Sequence, residues 1–255
     1  CSYVVPNYLS QVTAQDNCGV VSLLQSPLPG TTVSTGVTQI TITANDGVNQ
    51  SVCTFNLTVE DQTAPTATAQ NITVALDIDG YAEVAINDID AGSSDNCGAI
   101  IKSLNTTIFT CDEIGQNEII LTITDQGGLQ STATAIVTVV DTMAPQVVCQ
   151  DITLILDENG QVNITPQDID AGSTDNCGIV SYSIDTTSFD CSSSGQNFVT
   201  LTVTDASGNT NSCTTSVTVI DQTAPTLTCL EDQLETVDSS CSFVLPNYVP
   251  SLIAS

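Results

Sequence analysis

Two eleven-residue strings hold the densest set of cation-ligating side chains, Asp88-Ile-Asp-Ala-Gly-Ser-Ser-Asp-Asn-Cys-Gly98 and Asp168-Ile-Asp-Ala-Gly-Ser-Thr-Asp-Asn-Cys-Gly178. Each carries three aspartates, an asparagine and a cysteine, and a reduced form, Asp16-Asn-Cys-Gly19, stands earlier. Hard oxygen ligands at this density suit calcium, which takes about 6–8 of them at about 2.4 Å. Magnesium asks for fewer protein ligands in a stricter octahedron and is the second choice. The competing use of any one aspartate is turn formation, because Asx side chains hydrogen-bond their own backbone. Zinc is a poor fit for the cysteines, since the chain has no Cys-x-x-Cys and no histidine.

The charge balance narrows the partners. There are 29 Asp plus Glu against one cation, Lys102, so nearly every carboxylate must be solvated or bound to a cation from solution. Phosphate backbones are repelled, so nucleic acid is a poor partner, and an anionic membrane surface is excluded for the same reason. No apolar run approaches 18 residues, so membrane insertion by a helix is not expected. Eleven cysteines in such a chain point to disulfides and an oxidising, secreted, extracellular or cell-surface setting.

The elements that position the acidic strings repeat. Residues 61–140 align with 141–220 without a gap, with 36 of 80 positions identical, and Asp61, Asp141 and Asp221 each open a unit as Asp-x-x-Ala-Pro. Cys241-Ser-Phe-Val-Leu-Pro-Asn-Tyr248 repeats Cys1-Ser-Tyr-Val-Val-Pro-Asn-Tyr8 three periods on. The expected organisation is the back part of a type A repeat (1–60), complete repeats B (61–140) and C (141–220), and the front part of the next type A repeat (221–255). On this reading the chain is one super-repeat of a longer repetitive polymer, cut in mid-domain at both ends. Within C the pattern is all-β: strands over 151–156 and 161–165 around an Asn159-Gly160 turn, then the acidic loop 166–178. Further strands follow at 179–184, 197–204 and 210–220, the last two joined by a tight turn. No helix of useful length is expected. Short strands with turn signals every few residues predict tandem immunoglobulin-like β-sandwich modules of 80 residues in a linear array.

The Asp-x-Thr-Ala-Pro opener, the Asp-Asn-Cys-Gly loop and the Thr204-Asp-Ala-Ser-Gly-Asn-Thr-Asn-Ser-Cys213 hairpin together resemble the hyalin-repeat (HYR) domain, and most closely the tandem versions on secreted Bacteroidota surface proteins. The resemblance covers the whole chain. It implies an immunoglobulin-like module with an adhesive or structural extracellular role and no catalytic residues. Unit B departs from it, with Gly127-Gly-Leu129 in place of Ser207-Gly-Asn209 and no cysteines on its outer strands.

Cys149 and Cys213 of C are both alanine in B, Ala69 and Ala133, as expected of partners. Equal spacing predicts Cys97–Cys111 and Cys177–Cys191 within units B and C, and in A, where the loop cysteine has an upstream mate and no downstream one, Cys1–Cys18 is expected. Cys53, Cys229 and Cys241 are left for partners beyond the segment.

Strand directions in a sandwich bring the linker, the acidic loop and the final hairpin to one pole. In C this gathers Asp141, Asp168, Asp170, Asp175, Asn176 and Asp205, with Asp77 and Asp79 contributed by a turn of the preceding unit. The A–B junction offers Asp61, Asp90, Asp95 and Asp125. At the C–A junction Asp221 faces a unit without the Asp-Ile-Asp string, so a site there is expected to be weaker or absent. Calcium at these junctions would lock consecutive units into a stiff rod.

Weaker signals are sequons at Asn49, Asn56, Asn71, Asn105 and Asn163, and candidate O-glycosylation at Thr142 and Thr186. The expected function is a structural segment of an extracellular fibre or stalk, whose partners are neighbouring copies of the same repeat. Covalent continuity between super-repeats is preferred over strand donation by 221–255. The alternative is an adhesin binding a glycan or another surface partner, for which Tyr3, Tyr8, Phe243 and Tyr248 are the nearest aromatic cluster. An enzyme is not expected, because histidine and arginine are missing and the carboxylate clusters recur in repeated loops.

Overall fold

Alternating Thr with Val, Ile or Leu builds long antiparallel hairpins, and these form the spine of each unit. The computed structural model describes residues 1–229, 231, 232, 234, 236 and 239; Cys241, Phe243 and Tyr248 lie outside the described residues. The first part of the chain contains β1 (Ser2–Val4), β2 (Ser22–Ser26), β3 (Thr32–Ser34), β4 (Gly36–Asn45) and β5 (Gln50–Val59). The second contains β6 (Ile72–Ala75), β7 (Tyr81–Glu83), α1 (Ile86–Ile89), β8 (Ile101–Leu104), β9 (Ile108–Thr110), β10 (Gly115–Thr124) and β11 (Gln130–Val140). The third repeats this order with β12 (Ile152–Ile155), β13 (Gln161–Asn163), α2 (Pro166–Ile169), β14 (Ile179–Ile184), β15 (Ser188–Asp190), β16 (Gly195–Asp205) and β17 (Thr210–Ile220).

The architecture is all-β. Units B and C each have a four-stranded sheet, in the orders β6-β11-β10-β8 and β12-β17-β16-β14, facing a two-stranded one, β7-β9 and β13-β15. The period-two alternation sends one face of each strand inward. Ile119, Leu121 and Ile123 of β10 and Val137 and Val139 of β11 are buried against Ala82 and Phe109 of the facing sheet. Val199, Leu201, Val203 and Val217 do the same against Phe189 in C. The first long-sheet strand of each unit runs parallel to the last, Ile72 opposite Val137 and Ile152 opposite Val217.

Unit A differs. Among the described residues its long sheet has three strands, β2-β4-β5, so β5 forms an edge, and its buried core is Val5, Ile40 and Ile42.

Local differences from the sequence reading have identifiable causes. The return strand ends at Asn163, because Pro166 starts the single helical turn α2 and Asp168 Oδ2 accepts from Thr165 N–H and Oγ1 at 2.6 and 2.8 Å. Buried Ile169 anchors that turn, as Ile89 anchors α1. The Thr/Ser-rich passage after β14 contains β15, which pairs with β13, Val162 opposite Phe189.

Candidate cation sites at the junctions

The linker, the Asp-Asn-Cys-Gly loop and the final hairpin of units B and C converge at one end of each. Carboxylate oxygens of Asp141, Asp175 and Asp205 lie within 4.8 Å of one another, and those of Asp61, Asp95 and Asp125 do the same. The backbone aims each carboxylate. Thr63 and Met143 N–H donate to Oδ1 of Asp61 and Asp141 at 3.0 and 3.1 Å. Cys97 and Cys177 N–H donate to Oδ2 of Asp95 and Asp175 at 2.6 and 2.9 Å. Leu129 and Asn209 N–H donate to Oδ1 of Asp125 and Asp205, each at 2.8 Å.

These turns satisfy one oxygen per carboxylate. The second oxygen of Asp61, Asp95, Asp125, Asp141 and Asp175 is buried without a hydrogen-bond partner, and so is Asn176 Oδ1. Turn formation therefore occupies one oxygen of each aspartate and leaves the second open on five of the six, Asp205 Oδ2 accepting from Asn209 Nδ2 at 2.9 Å. Burying an unpaired anion is costly, and two charges at this spacing repel by about 3 kcal/mol at an effective dielectric of 20. A divalent cation at the shared point would remove both costs. The oxygens gathered at that point are carboxylates, a hard set that fits calcium.

Other candidates are held elsewhere. Asp168 caps α2, as Asp88 caps α1 by accepting from Ala85 N–H at 3.1 Å. Asp170 accepts from Ser173 N–H and Oγ at 3.1 and 2.5 Å. Asp90 pairs with Lys102 at 2.5 Å and accepts from Ser93 N–H. The Lys102 hydrogen bond, aided by Ser93, lowers its carboxyl from the usual range to about 2. Asp77 Oδ1 accepts from Asp79 and Tyr81 N–H in the turn between β6 and β7, and Asp79 stands exposed beside it. The preceding unit instead presents the Asp77 backbone carbonyl, which accepts from Asn176 Nδ2 at 3.0 Å. Thr142 is exposed and Thr186 half-buried.

The cysteine pairing corrects the sequence reading. Cys149–Cys213 joins the first and last regions of C, with Cα atoms 6.1 Å apart. The other two bridges cross between units: Cys1–Cys97, Cα–Cα 4.7 Å, and Cys111–Cys177, 5.4 Å. Cys97–Cys111 cannot form within B. Cys97 lies by the β10–β11 turn, where Gln126 approaches Gly98, whereas Cys111 precedes the start of β10. A ten-residue strand separates them by roughly 30 Å, and a disulfide needs Cα atoms within about 7 Å. The same geometry excludes Cys177–Cys191 and Cys1–Cys18. Among the described residues Cys18, Cys53, Cys191 and Cys229 are unpaired and exposed.

Both cross-unit bridges stand beside a carboxylate trio. Cys97 and Cys177 are the residues whose N–H groups orient Asp95 and Asp175, and Cys1 and Cys97 Sγ lie within 4.8 Å of an Asp61 oxygen. At the B–C end Gly80 makes room: with φ +78°, an added Cβ would stand 3.0 Å from both Asn176 O and Cys111 Sγ. Sequence reasoning also missed Asn209 and Asn211. Asn209 Nδ2 donates to the carbonyls of Asp141 and Met143 at 3.3 and 3.1 Å and to Asp205 Oδ2 at 2.9 Å. Asn211 Nδ2 donates to Pro145 O at 2.9 Å. The departure of Gly127-Gly-Leu129 from the other hairpin was the available signal for the first.

Fold and site together define a class: tandem β-sandwich units with acidic, disulfide-bridged junctions. The chain is similar to hyalin of Lytechinus variegatus, 29% identical over 245 residues, and to hyalin of Strongylocentrotus purpuratus, 29% identical over 250 residues. Both alignments cover 91% of this chain, which spans 46% and 20% of those relatives' lengths. No protein-family model matches. Among solved structures, protocadherin gammaB7 EC3-6 is 18% identical with a TM-score of 0.32, covering 78% of this chain and 66% of that one. Mouse cadherin-23 EC22-24 is 14% identical with a TM-score of 0.33, covering 79% and 86%. Among the described residues no helix is long and apolar enough to cross a membrane.

Proposed function

We propose that this chain is an extracellular structural segment of a fibre or stalk, stapled by disulfides and stiffened by calcium at its unit junctions. The observation that carries this reading is the pair of carboxylate trios at which five buried oxygens lack a partner. Each trio draws one aspartate from the linker and two from the following unit, so a bound cation fixes the linker against the sandwich it enters. The linker would otherwise flex, because like charges around it repel. Disulfides that cross the junctions suit an oxidising exterior, and similarity to hyalin over 91% of the chain supports an adhesive or structural assignment. The residues present suggest mechanical work and no catalysis.

Small-angle scattering of the chain in calcium and in chelator tests the reading. The expected outcome is a longer, narrower distance distribution with calcium; identical maximum dimensions in the two conditions would remove calcium from the proposal.

A further inference from the structure

The B–C junction joins a covalent bond and a cation site through one short string. Asp175, Asn176 and Cys177 are consecutive, and each holds a different partner. Asp175 belongs to the carboxylate trio, and Cys177 is bridged to Cys111 of unit B. Asn176 stands between them: its Nδ2 donates to the Asp77 carbonyl at 3.0 Å and reaches Asp141 Oδ1 at 3.5 Å. The trio itself calls for a positive charge. Asp141 is 7% exposed, and its Oδ2 is buried without a hydrogen-bond partner.

The bridge fixes the position of the ligand. Cys177 N–H donates to Asp175 Oδ2 at 2.9 Å, so the residue that carries the sulfur also aims the carboxylate. On the other side, Cys111 Sγ lies 3.4 Å from Asn176 O and 3.9 Å from Gly80 O. The bond therefore clamps loop 175–177 against the 77–80 turn of unit B. With the bond closed, Asp175 is held beside Asp141 and Asp205 against their mutual repulsion, and a cation meets ligands already gathered. With it open, the Asn176–Asp77 hydrogen bond is left to hold that contact, and the carboxylates relax apart.

We propose that the Cys111–Cys177 bridge and the cation at Asp141, Asp175 and Asp205 are reciprocally coupled: oxidation tightens calcium binding, and bound calcium protects the bridge from reduction. The inference rests on the calcium reading and names what regulates that site. Linkage requires one factor for both directions, and such couplings are typically about 5–150-fold. For a bond and a ligand three residues apart at most, about tenfold is expected, equivalent to about 30 mV for a two-electron couple. The reductant is a small thiol of the glutathione class, and both cysteines are only half-buried. Two glutathione molecules supply two electrons and two protons, the S–S bond opens to two cysteine thiols, and the glutathiones leave as one disulfide.

The Cys149–Cys213 bridge is an internal control. Cys149 is paired with Asp170 and Cys213 with Leu201, and neither partner belongs to the trio.

The test equilibrates the full chain in glutathione buffers of graded ratio, with calcium or with chelator. Thiols are trapped by alkylation and both bridges are read by peptide mass spectrometry. Calcium should raise the bridging constant of Cys111–Cys177 about tenfold and that of Cys149–Cys213 less than about twofold, and D175N should lose the shift. Calorimetric titration of calcium into oxidised D95N and D95N/C111S/C177S chains, in which the A–B site is weakened, should show the reciprocal loss of about tenfold at B–C. A redox equilibrium unmoved by calcium, in a chain that calorimetry shows to bind it, would overturn the coupling and leave the calcium reading standing. An equal shift at Cys149–Cys213, or one that survives D175N, would overturn it by making the effect a general one. An oxidised chain that binds no calcium would retire both.

Discussion

The A–B and B–C junctions share a carboxylate trio and a bridge but differ in how the linker is tied down. At B–C, Asn209 reaches from the hairpin to the linker carbonyls of Asp141 and Met143 while also donating to Asp205. At A–B the same position is Leu129, which has no donor to offer beyond its backbone. A cleft of about 560 Å³ opens there beside Asp61, Asp95 and Gln126. The cysteine that closes the junction also moves, following β9 in unit B but preceding β1 in unit A. The ligands are therefore repeated while their scaffolding is not. Equal charge with unequal preorganisation should give unequal affinity, tighter at B–C.

The largest test removes the covalent tie. Replacing Cys111 and Cys177 with alanine opens a bridge whose cysteines are 66 residues apart, and the chain-entropy model gives about 4 kcal/mol for such a loop. Denaturant unfolding in chelator should show that loss and spare the A–B junction. Next come single carboxylates. Asp175→Asn keeps an acceptor but deletes a charge, and calorimetric titration should show calcium at B–C weakened about 10–100-fold, or about 1.4–2.8 kcal/mol; Asp95→Asn should weaken only the A–B site. The exchange of hairpin residues sharpens the contrast directly. Asn209→Leu should lower B–C affinity about tenfold toward the A–B value, since two linker carbonyls lose a donor, and Leu129→Asn should raise A–B. Equal affinities in the wild-type chain would break the comparison.

The smallest effect belongs to Lys102→Met. Asp90 has its carboxyl lowered to about 2 by Lys102 and Ser93, so the folded pKa lies below the unfolded one. The stability from this pair is present above about pH 4 and is lost as pH falls toward 2. The variant should flatten the acid limb of thermal stability across that window and leave the plateau at pH 7 lower by under about 1 kcal/mol.

Much of the fold was legible because its signals are local. Strict alternation in Gly195–Asp205 and Thr210–Ile220 sets a hairpin, and paired loss of Cys149 and Cys213 marks a contact. The cysteine pairing between units was not legible, for a geometric reason. In a sequence of period 80, Cys177 bears the same relation to Cys191 as Cys97 to Cys111, and a bond to the next unit repeats as faithfully as one within a unit. Spacing therefore defines partners only up to the period; the length of β10 decides between them. The trio Asp141, Asp175 and Asp205 was legible as a set, but the removal of Asp90, Asp168 and Asp170 from the sites depended on where Lys102, Thr165 and Ser173 stand in three dimensions.

The crossed bridges also decide where tension runs. A pull applied along the array passes from Cys1 through sulfur to Cys97, along the backbone to Cys111, and through sulfur again to Cys177. Between Cys1 and Cys177, only the fourteen-residue step from Cys97 to Cys111 lies in the covalent load path, at most about 50 Å fully drawn out. The long hairpins and the first strands hang beside that path and bear no load through it. With the bridges reduced, all 80 residues of a period could unravel to about 270 Å. Oxidised, the stretch from Cys1 to Cys177 would behave as a cable with almost no slack; reduced, it would become an extensible tether of the same composition.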